Sequence, residues 1–187
     1  KIAESVAKPL SFNRLSNILK SAGAVLGKQT VINYVGYMMD SYMLFTLQNY
    51  AAKLVEKETS PKYYFMDTGL LGLMLMDCSS AQLENLVAIE LIRRYGRENV
   101  FYFEKNVEID FYVPEEKLAI QVSLQVLDQI DTREREIGAF VKLKNFIGDA
   151  TCLLITNSEE EELDYEGVHV SVVPVWKWLL QNRKQDI

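Results

Sequence analysis

The stretch that decides the fold runs Val107-Glu108-Ile109-Asp110-Phe111-Tyr112-Val113, Pro114-Glu115-Glu116-Lys117, Leu118-Ala119-Ile120-Gln121-Val122-Ser123-Leu124. Side chains of a strand alternate between its two faces, so each run predicts a strand with one wholly apolar face. If the middle four residues form a hairpin loop, Val113 pairs with Leu118 and Asp110 faces Gln121. Glu108 then faces Ser123. The count therefore predicts four polar groups on one face of an antiparallel hairpin.

The sequence around this hairpin predicts alternating helices and strands. A buried helix is predicted over 83–95, a strand over 100–104, and a helix from Asp131 to Gly148. Segments rich in β-branched residues predict strands over 151–156 and 168–172. The predicted order is α-β-β-β-α-β, followed by one more strand and a helix.

Two features near the C-terminus complete this part of the prediction. Pro174 suits the first turn of a closing helix, which Trp176 and Trp178 would anchor. The acidic run Glu159–Glu162 stands between two predicted strands, and we expect it to form a solvated loop.

The first 67 residues predict a smaller unit. Ser11 can cap a helix that Gly23 would end, and a second helix follows with its apolar stripe at Val31, Tyr34, Val35, Met38 and Met39. Strands are predicted at 43–45 and 62–66. Helix, turn, helix and β-hairpin is the order of a winged helix.

The charge is distributed unevenly along the chain. Residues 1–67 contain 8 Lys and Arg against 5 Asp and Glu, whereas residues 68–187 contain 12 against 21. Such a split is typical of two units with different roles. We therefore predict a winged-helix-like unit over 1–67 and an α/β domain over 68–187.

Composition excludes several classes of protein. Hydrophobic residues make up 49% and charged residues 25%, as in globular proteins. No apolar run is long enough to span a bilayer and no secretion signal is recognisable, which predicts a cytoplasmic protein. Cys78, Cys152 and the single His169 are too few for a disulfide framework or a zinc site. The first residue is Lys, which suggests a piece of a longer chain.

Three short motifs carry a family resemblance. Glu84-Asn85-Leu86-Val87 with Glu90-Leu91, Glu108-Ile109-Asp110-Phe111 and Ile120-Gln121-Val122 resemble the PD-(D/E)XK nuclease-like superfamily. The resemblance implies a restriction-endonuclease-like α/β fold with an αβββαβ core. It also implies a site in which a helix acid, a strand Asp and a Glu-x-Lys gather around Mg²⁺ or Mn²⁺.

A second resemblance covers nearly the whole chain. The segments 62–70 (Lys-Tyr-Tyr-Phe-Met-Asp-Thr-Gly-Leu) and 132–136 (Thr-Arg-Glu-Arg-Glu) are similar to a large family of poorly characterised prokaryotic AAA-type ATPases. Their C-terminal domain of unknown function joins a winged-helix segment to the nuclease-like fold. The resemblance implies that ATP binds to an ATPase module N-terminal to Lys1, which would be a partner within the same parent chain.

Matched position by position, the resemblance assigns the site. Glu84 is the helix acid, with Glu90 as a second candidate, and both are candidate metal ligands together with Asp110, the strand acid. Gln121 stands where the second acid belongs and Ser123 where the lysine belongs. Gln121 offers a neutral oxygen and Ser123 offers no positive charge, so we expect a degenerate, inactive site. Lys105 and Lys117, which could replace the lysine, stand in predicted turns.

The predicted recognition helix of the first unit suggests a ligand surface. Gln29, Thr30, Asn33 and Tyr37 would face outward from it, beside Lys28, and Arg14 adds a second basic residue. These side chains can bind DNA, although the positive charge is modest for that role. Three functions follow: a nucleic-acid- or partner-recognition region, an active Mg²⁺/Mn²⁺-dependent nuclease with an altered motif, or a purely protein-interacting domain.

Overall fold

The computed structural model describes residues 1–53, 60–77, 79–127 and 130–181, apart from the side chain of Ile130. These residues form two compact units, Lys1–Ile89 and Glu90–Ile187. The mixed α/β class is confirmed. The boundary expected between residues 67 and 68 stays a prediction, and Cys78 lies outside the described residues.

The first unit contains helices followed by a β-hairpin. After a 3-10 turn at Ala3–Ser5, its elements are α1 (Phe12–Ser21), α2 (Lys28–Asp40), β1 (Leu44–Asn49), β2 (Lys62–Phe65), α3 (Gly69–Met74) and the start of α4 (Ser79–Tyr95). β1 and β2 are antiparallel, with Leu44 opposite Phe65. The predicted order of two helices and two strands is confirmed, whereas α3 was not predicted.

Local chemistry explains where α1 begins and ends. The Ser11 hydroxyl accepts a hydrogen bond from the Arg14 N–H at 3.2 Å, which is the predicted N-cap. Gly23 has a φ of +86°, a conformation that costs glycine little. Leu15 packs with Val31 of α2 in the buried core of this unit. Tyr34 was expected on the same apolar stripe, but it is 52% exposed because it lies at the edge of that stripe.

The second unit is built on a mixed sheet. After the end of α4 and a 3-10 turn at Arg97–Asn99, its elements are β3 (Phe101–Glu104), β4 (Glu108–Val113), β5 (Leu118–Val122), α5 (Ile130–Ile147), β6 (Thr151–Thr156), β7 (Glu161–Tyr165), β8 (Val168–Pro174) and α6 (Val175–Leu180). The strands lie in the order β3-β4-β5-β6-β8-β7. β5, β6 and β8 are parallel, and the flanking pairs are antiparallel. The crossover through α5 makes the β5–β6 pairing parallel.

The register of the β4–β5 hairpin agrees with the count made on the sequence. Val113 pairs with Leu118, and Phe111 pairs with Ile120. Lys117 closes the loop with a φ of +47°, and its N–H donates to the Pro114 carbonyl at 3.1 Å. The four-residue loop therefore fixes which residues of β4 and β5 lie side by side.

The acidic run is the clearest error of the sequence prediction. Glu161 and Glu162 begin β7, an edge strand on which Leu163 is buried. Charged side chains on an edge strand discourage pairing with other chains, so a run of glutamates suits this position as well as it suits a loop. Glu159 also has a specific role, because its carboxylate accepts the N–H groups of Val126 and Leu127 at 2.6 and 3.1 Å.

Two smaller expectations also need correction. α5 runs from Ile130 to Ile147, so it begins one residue before the expected Asp131. Trp178 is buried and anchors α6 as expected, but Trp176 is 58% exposed. No helix among the described residues is both long enough and apolar enough to cross a membrane.

Replacing Glu159 by Ala should destabilise the second unit. Two backbone N–H groups lose their acceptor, which we expect to lower the free energy of unfolding by about 1–3 kcal/mol. Glu160→Ala is the matched control, because Glu160 forms an exposed ion pair with Lys177 that we expect to be worth at most about 1 kcal/mol. Urea denaturation followed by tryptophan fluorescence measures both changes. Equal stability of the two variants would contradict the role given to Glu159.

Candidate functional site: the β4–β5 hairpin and its acids

Asp110 and Gln121 lie side by side, and the side chain of each forms hydrogen bonds with backbone groups of the other strand. The Gln121 side chain accepts the Asp110 N–H through Oε1 at 2.8 Å and donates from Nε2 to the Glu108 carbonyl at 3.2 Å. In return, Oδ2 of Asp110 accepts the Val122 N–H at 2.9 Å. Side chains here continue the hydrogen bonding beyond the last backbone pair, Phe111 with Ile120.

This arrangement explains a glutamine where the family resemblance requires an acid. Gln121 is buried and uses its amide both as an acceptor and as a donor. A glutamate would lose the donor, and its charge would stand beside the Asp110 carboxylate and the Glu108 carbonyl. The residue type at position 121 therefore follows from the local hydrogen bonds.

Ser123 lies just beyond this arrangement. β5 ends at Val122, so the expected pairing of Glu108 with Ser123 does not extend that far. The Ser123 N–H donates to the Ile155 carbonyl of β6, and its hydroxyl donates to the Gln125 carbonyl. Ser123 thus belongs to the connection that leads out of β5.

Arg135 on α5 brings positive charge to the face of Asp110 and Glu108. Its hydrogen bonds to the buried Glu136, at 3.1 and 2.6 Å, and the attraction of Asp110 and Glu108 raise the pKa of its guanidinium. Arg135 belongs to the segment 132–136 that carries the family resemblance, and no role was predicted for it. Because helix α5 packs on β4, a residue distant in sequence acts on the strand acid.

The two lysines considered as replacements lie in turns, as expected. The Lys105 N–H donates to the Val107 carbonyl, and its ammonium lies 5.6 Å from the centre of the Phe146 ring. Lys117 closes the β4–β5 loop.

Glu84 lies in the first unit, in contact with two buried side chains of β2. The Tyr64 hydroxyl donates to its Oε1 at 3.0 Å, and the Lys62 ammonium lies 4.0 Å from the same oxygen. Lys62 and Tyr64 are both fully buried. The adjacent Asn85 bonds both the N–H and the carbonyl of Phe65, at 2.7 and 2.8 Å. Glu84 and Asn85 together fasten α4 to β2, and Glu84 balances a buried positive charge.

Glu90 lies in the second unit and is paired with arginines of its own helix. Burial opposes its ionisation, but hydrogen bonds from Arg93 and Arg94 outweigh burial and lower the pKa of its carboxyl group. Arg94 also donates to the Trp178 carbonyl at 3.0 Å and lies 4.0 Å from the centre of the Trp178 ring. Glu90 thereby orients Arg94, which holds α6 in place through its contacts with Trp178.

Each of the three candidate acids is engaged by protein groups of its own unit. Mg²⁺ requires several oxygen ligands directed at one point. Over the described part of the chain, no group of three His, Cys, Asp or Glu side chains could hold a metal ion. Asp110 and Glu84 each bind protein groups instead. The assignment of Glu84, Glu90 and Asp110 to one metal site stays a prediction.

The predicted DNA-binding residues lie on the surface of the first unit. Lys28, Gln29 and Asn33 are exposed on α2, Thr30 is half-buried there, and Arg14 is exposed in the first turn of α1. The Gln29 amide donates to the Asn33 side chain at 3.1 Å, so these two polar groups satisfy each other. Their role in binding DNA stays a prediction.

His169 lies on β8 and is exposed, with carboxylates of β7 on both sides. Nδ1 lies 3.0 Å from Asp164, and Nε2 lies 3.1 Å from Glu162. The hydrogen bond with Asp164 is the main cause that raises the pKa of the imidazole. When protonated, the ring links β8 to the edge strand β7.

Comparison with known proteins found similarity to a family and to a protein that have no assigned function. Residues 1–82 match a family described as "Domain of unknown function (DUF8612)". An uncharacterised protein of Methanocaldococcus jannaschii, MJ1544, is 32% identical over 184 residues. That match covers 93% of this chain and 41% of the archaeal protein, so the chain spans less than half of its relative. No match was found among solved structures.

The Lys62–Glu84 pair provides a test of the first unit. Glu84→Gln removes the carboxylate that lies 4.0 Å from the buried Lys62 ammonium, and we expect it to lower the free energy of unfolding by up to about 3–5 kcal/mol. The double change Lys62→Met with Glu84→Leu should cost clearly less than the sum of the single changes, because no buried charge remains. Glu4→Gln, in an exposed pair with Lys1, is the control and should change little. Urea titrations followed by circular dichroism measure the unchanged chain, these three variants and the single changes Lys62→Met and Glu84→Leu; additive costs of the two single changes would contradict this coupling.

His169 gives a pH-dependent prediction that NMR can follow without ambiguity, since it is the single histidine of the chain. Its raised pKa means that protonation favours the β7–β8 pairing below the unfolded-state value of about 6.5. This contribution is lost as the pH rises through the higher value of the folded protein. Asp164→Asn should lower the pKa of His169, whereas Glu166→Gln in the adjacent turn should alter it less. Equal shifts in both variants would show a general charge effect.

Proposed function

We propose that this chain is the recognition region of a prokaryotic AAA-type ATPase, built on a nuclease-like domain that no longer hydrolyses nucleic acid. The order α4-β3-β4-β5-α5-β6 is compatible with the αβββαβ core of the PD-(D/E)XK superfamily. The helix-helix-hairpin order of the first unit is compatible with a winged helix. ATP would bind to the ATPase module of the parent chain, in the cytoplasm.

The reciprocal bonding of Asp110 and Gln121 carries the proposal. Hydrolysis by this superfamily needs acids that hold a metal ion and a lysine that stabilises charge. In this chain Gln121 and Asp110 hold the backbone of the opposite strand, and Ser123 replaces the lysine. The site then serves as part of a scaffold, and ligand recognition falls to other surfaces.

The first unit offers the surface for recognition. Arg14 and Lys28 supply positive charge near the polar side chains of Gln29, Thr30 and Asn33. DNA is one candidate ligand, because exposed cations and amides can contact phosphates and bases. A protein is the other, and the ATPase module of the same parent chain is included among such partners.

An active nuclease with an altered motif is the second candidate, and Arg135 is the observation that favours it. Its guanidinium acts electrostatically on Asp110 and Glu108. Electrostatic stabilisation by a cation is the role that the absent lysine would have had. In that case Mg²⁺ or Mn²⁺ would have to displace the bonds that Asp110 now makes.

Cleavage assays distinguish the two candidates. The chain, incubated with Mg²⁺ or Mn²⁺ and plasmid, single-stranded or branched DNA, should leave all three substrates intact. Metal-dependent cutting that disappears in both Asp110→Asn and Arg135→Gln would overturn the proposal and establish the nuclease. Cutting that persists in Asp110→Asn would identify a contaminant, and the assay would be repeated on further-purified protein.

Rebuilding the motif tests the scaffold itself. The double change Gln121→Glu with Ser123→Lys restores Glu-x-Lys across the end of β5, and we expect Mn²⁺ binding to appear in calorimetry where the unchanged chain shows none. Gln121→Glu alone should lower stability by about 1–3 kcal/mol, because the donor to the Glu108 carbonyl is lost. Ser123→Lys alone is the matched control. A folded double variant without Mn²⁺ binding would argue against a nuclease-like ancestry of the site.

A further inference from the structure

Strand β7 forms an open edge of the sheet in the second unit. It pairs with β8 on one side, and among the residues that the structure describes no other strand pairs with it. The loop between β7 and β8 consists of Glu166 and Gly167, whose φ angles of +48° and +76° are those of a tight two-residue hairpin turn. An edge of this kind offers backbone groups to a further strand.

The turn determines which backbone groups of β7 face outward. In a two-residue hairpin the residues that flank the loop, here Tyr165 and Val168, exchange both of their backbone hydrogen bonds, and every second pair beyond them does the same. Glu162 and Asp164 occupy the positions between, where side chains of the two strands come closest. The 3.0 Å contact of Asp164 with His169 agrees with that assignment. The N–H and C=O groups of Glu162 and Asp164 therefore point to the open edge.

The edge is strongly acidic. Residues 160–166 include five acids, and the sequence has no lysine or arginine from residue 145 to residue 176. Two cations from outside the segment lie beside these acids: Lys177 pairs with Glu160, and His169 lies between two carboxylates of β7. When both cations are counted against the five acids, an excess of three negative charges remains.

The first unit treats its own sheet edge differently. The outer side of β2 is covered by the chain that precedes α1, because the Ala7 N–H donates to the Tyr63 carbonyl and the Leu10 N–H to the Pro61 carbonyl. Over the described residues no comparable segment bonds to the outer side of β7. The open edge is thus specific to β7.

An open edge with this charge selects one kind of occupant. We propose that β7 receives an extended, lysine- or arginine-rich segment of a separate protein, which adds to the sheet as a further strand. Its backbone bonds to the outward groups of Glu162 and Asp164, and its cations lie beside their carboxylates. A second copy of this chain would place acid beside acid, and nucleic acid would be repelled by the same charge.

This surface goes beyond the recognition role given to the first unit, because β7 lies in the second unit. The two can be tested separately. DNA cutting by the unchanged chain would overturn the inactive site and would leave strand addition as it is. Absence of strand addition would leave the cleavage result as it is.

A fluorescent peptide of roughly nine residues, in which Lys alternates with Thr, is a direct probe of the edge. A second peptide carries Glu in place of Lys. Fluorescence anisotropy with the full chain measures both affinities, and we expect the basic peptide to bind at least about tenfold more tightly. NMR signals of His169, the single histidine of the chain, should shift as the basic peptide binds, because the ring lies beside Glu162 and Asp164.

Backbone methylation separates strand addition from simple charge attraction. In an added strand, alternate N–H groups face β7 and the others face solvent. One peptide is therefore N-methylated on its lysines and another on the same number of threonines, so that both keep every charge. We expect one of them to lose affinity by about tenfold or more and the other to keep it within about twofold. Loss on the lysines indicates an antiparallel added strand, and loss on the threonines a parallel one.

Two changes at Glu162 provide a matched pair in the protein. Glu162→Gln and Glu162→Pro remove the same charge, but only proline also removes the N–H that points to the open edge. Proline is tolerated on an edge strand at such a position. We expect Glu162→Pro to weaken binding of the basic peptide by about tenfold or more, and Glu162→Gln by about threefold or less. Thermal unfolding checks both variants, and the methylated peptides test the same point on the unchanged chain.

Several outcomes would overturn the proposal. Equal binding of the basic and acidic peptides would exclude selection by charge. Equal effects of the two methylation patterns, or equal losses in Glu162→Gln and Glu162→Pro, would exclude strand addition. Self-association seen by sedimentation and abolished by Glu162→Pro would make a second copy of the chain the occupant of this edge.

Discussion

The exchange of hydrogen bonds between Asp110 and Gln121 is the constraint on which the second unit depends. β4 and β5 pair through their backbones only as far as Phe111 and Ile120, and these two side chains then continue the connection. β5 also begins the parallel part of the sheet through β6. Any change at position 110 or 121 therefore alters the junction between the antiparallel and parallel strands, which links the candidate site directly to the fold.

Neutralisation of buried acids recurs through the molecule. Glu84 balances Lys62, Glu90 binds Arg93 and Arg94, and Glu136 binds Arg135. A buried carboxylate is tolerated when a cation or several N–H groups compensate its lost hydration. Glu84 stabilises a contact between α4 and β2, and Glu90 orients the Arg94 that binds α6.

Most of the fold was predictable because its signals are local. Apolar alternation located β4 and β5, loop length fixed their register, and Ser11 and Gly23 marked the ends of α1. Prediction failed where the same sequence pattern is compatible with two kinds of secondary structure. A run of glutamates suits a loop or an edge strand equally, and β7 was missed for that reason. The short α3 was missed because six residues are too few to display a helical period.

The sequence by itself determined the α/β class, the hairpin register and the position of Asp110 opposite Gln121, since each depends on residues close together in the chain. Only the tertiary structure decided what the charged side chains do. Lys62 forms an ion pair with Glu84, and the Glu159 carboxylate accepts the Val126 N–H. Arg94 donates to the carbonyl of Trp178, which lies 84 positions further along the chain. Such pairs form when separate elements pack together, and the periodicity of one element holds no information about its distant neighbours. The sequence thus identifies Asp110 as an acid on a strand, and the structure shows that its carboxylate accepts the Val122 N–H.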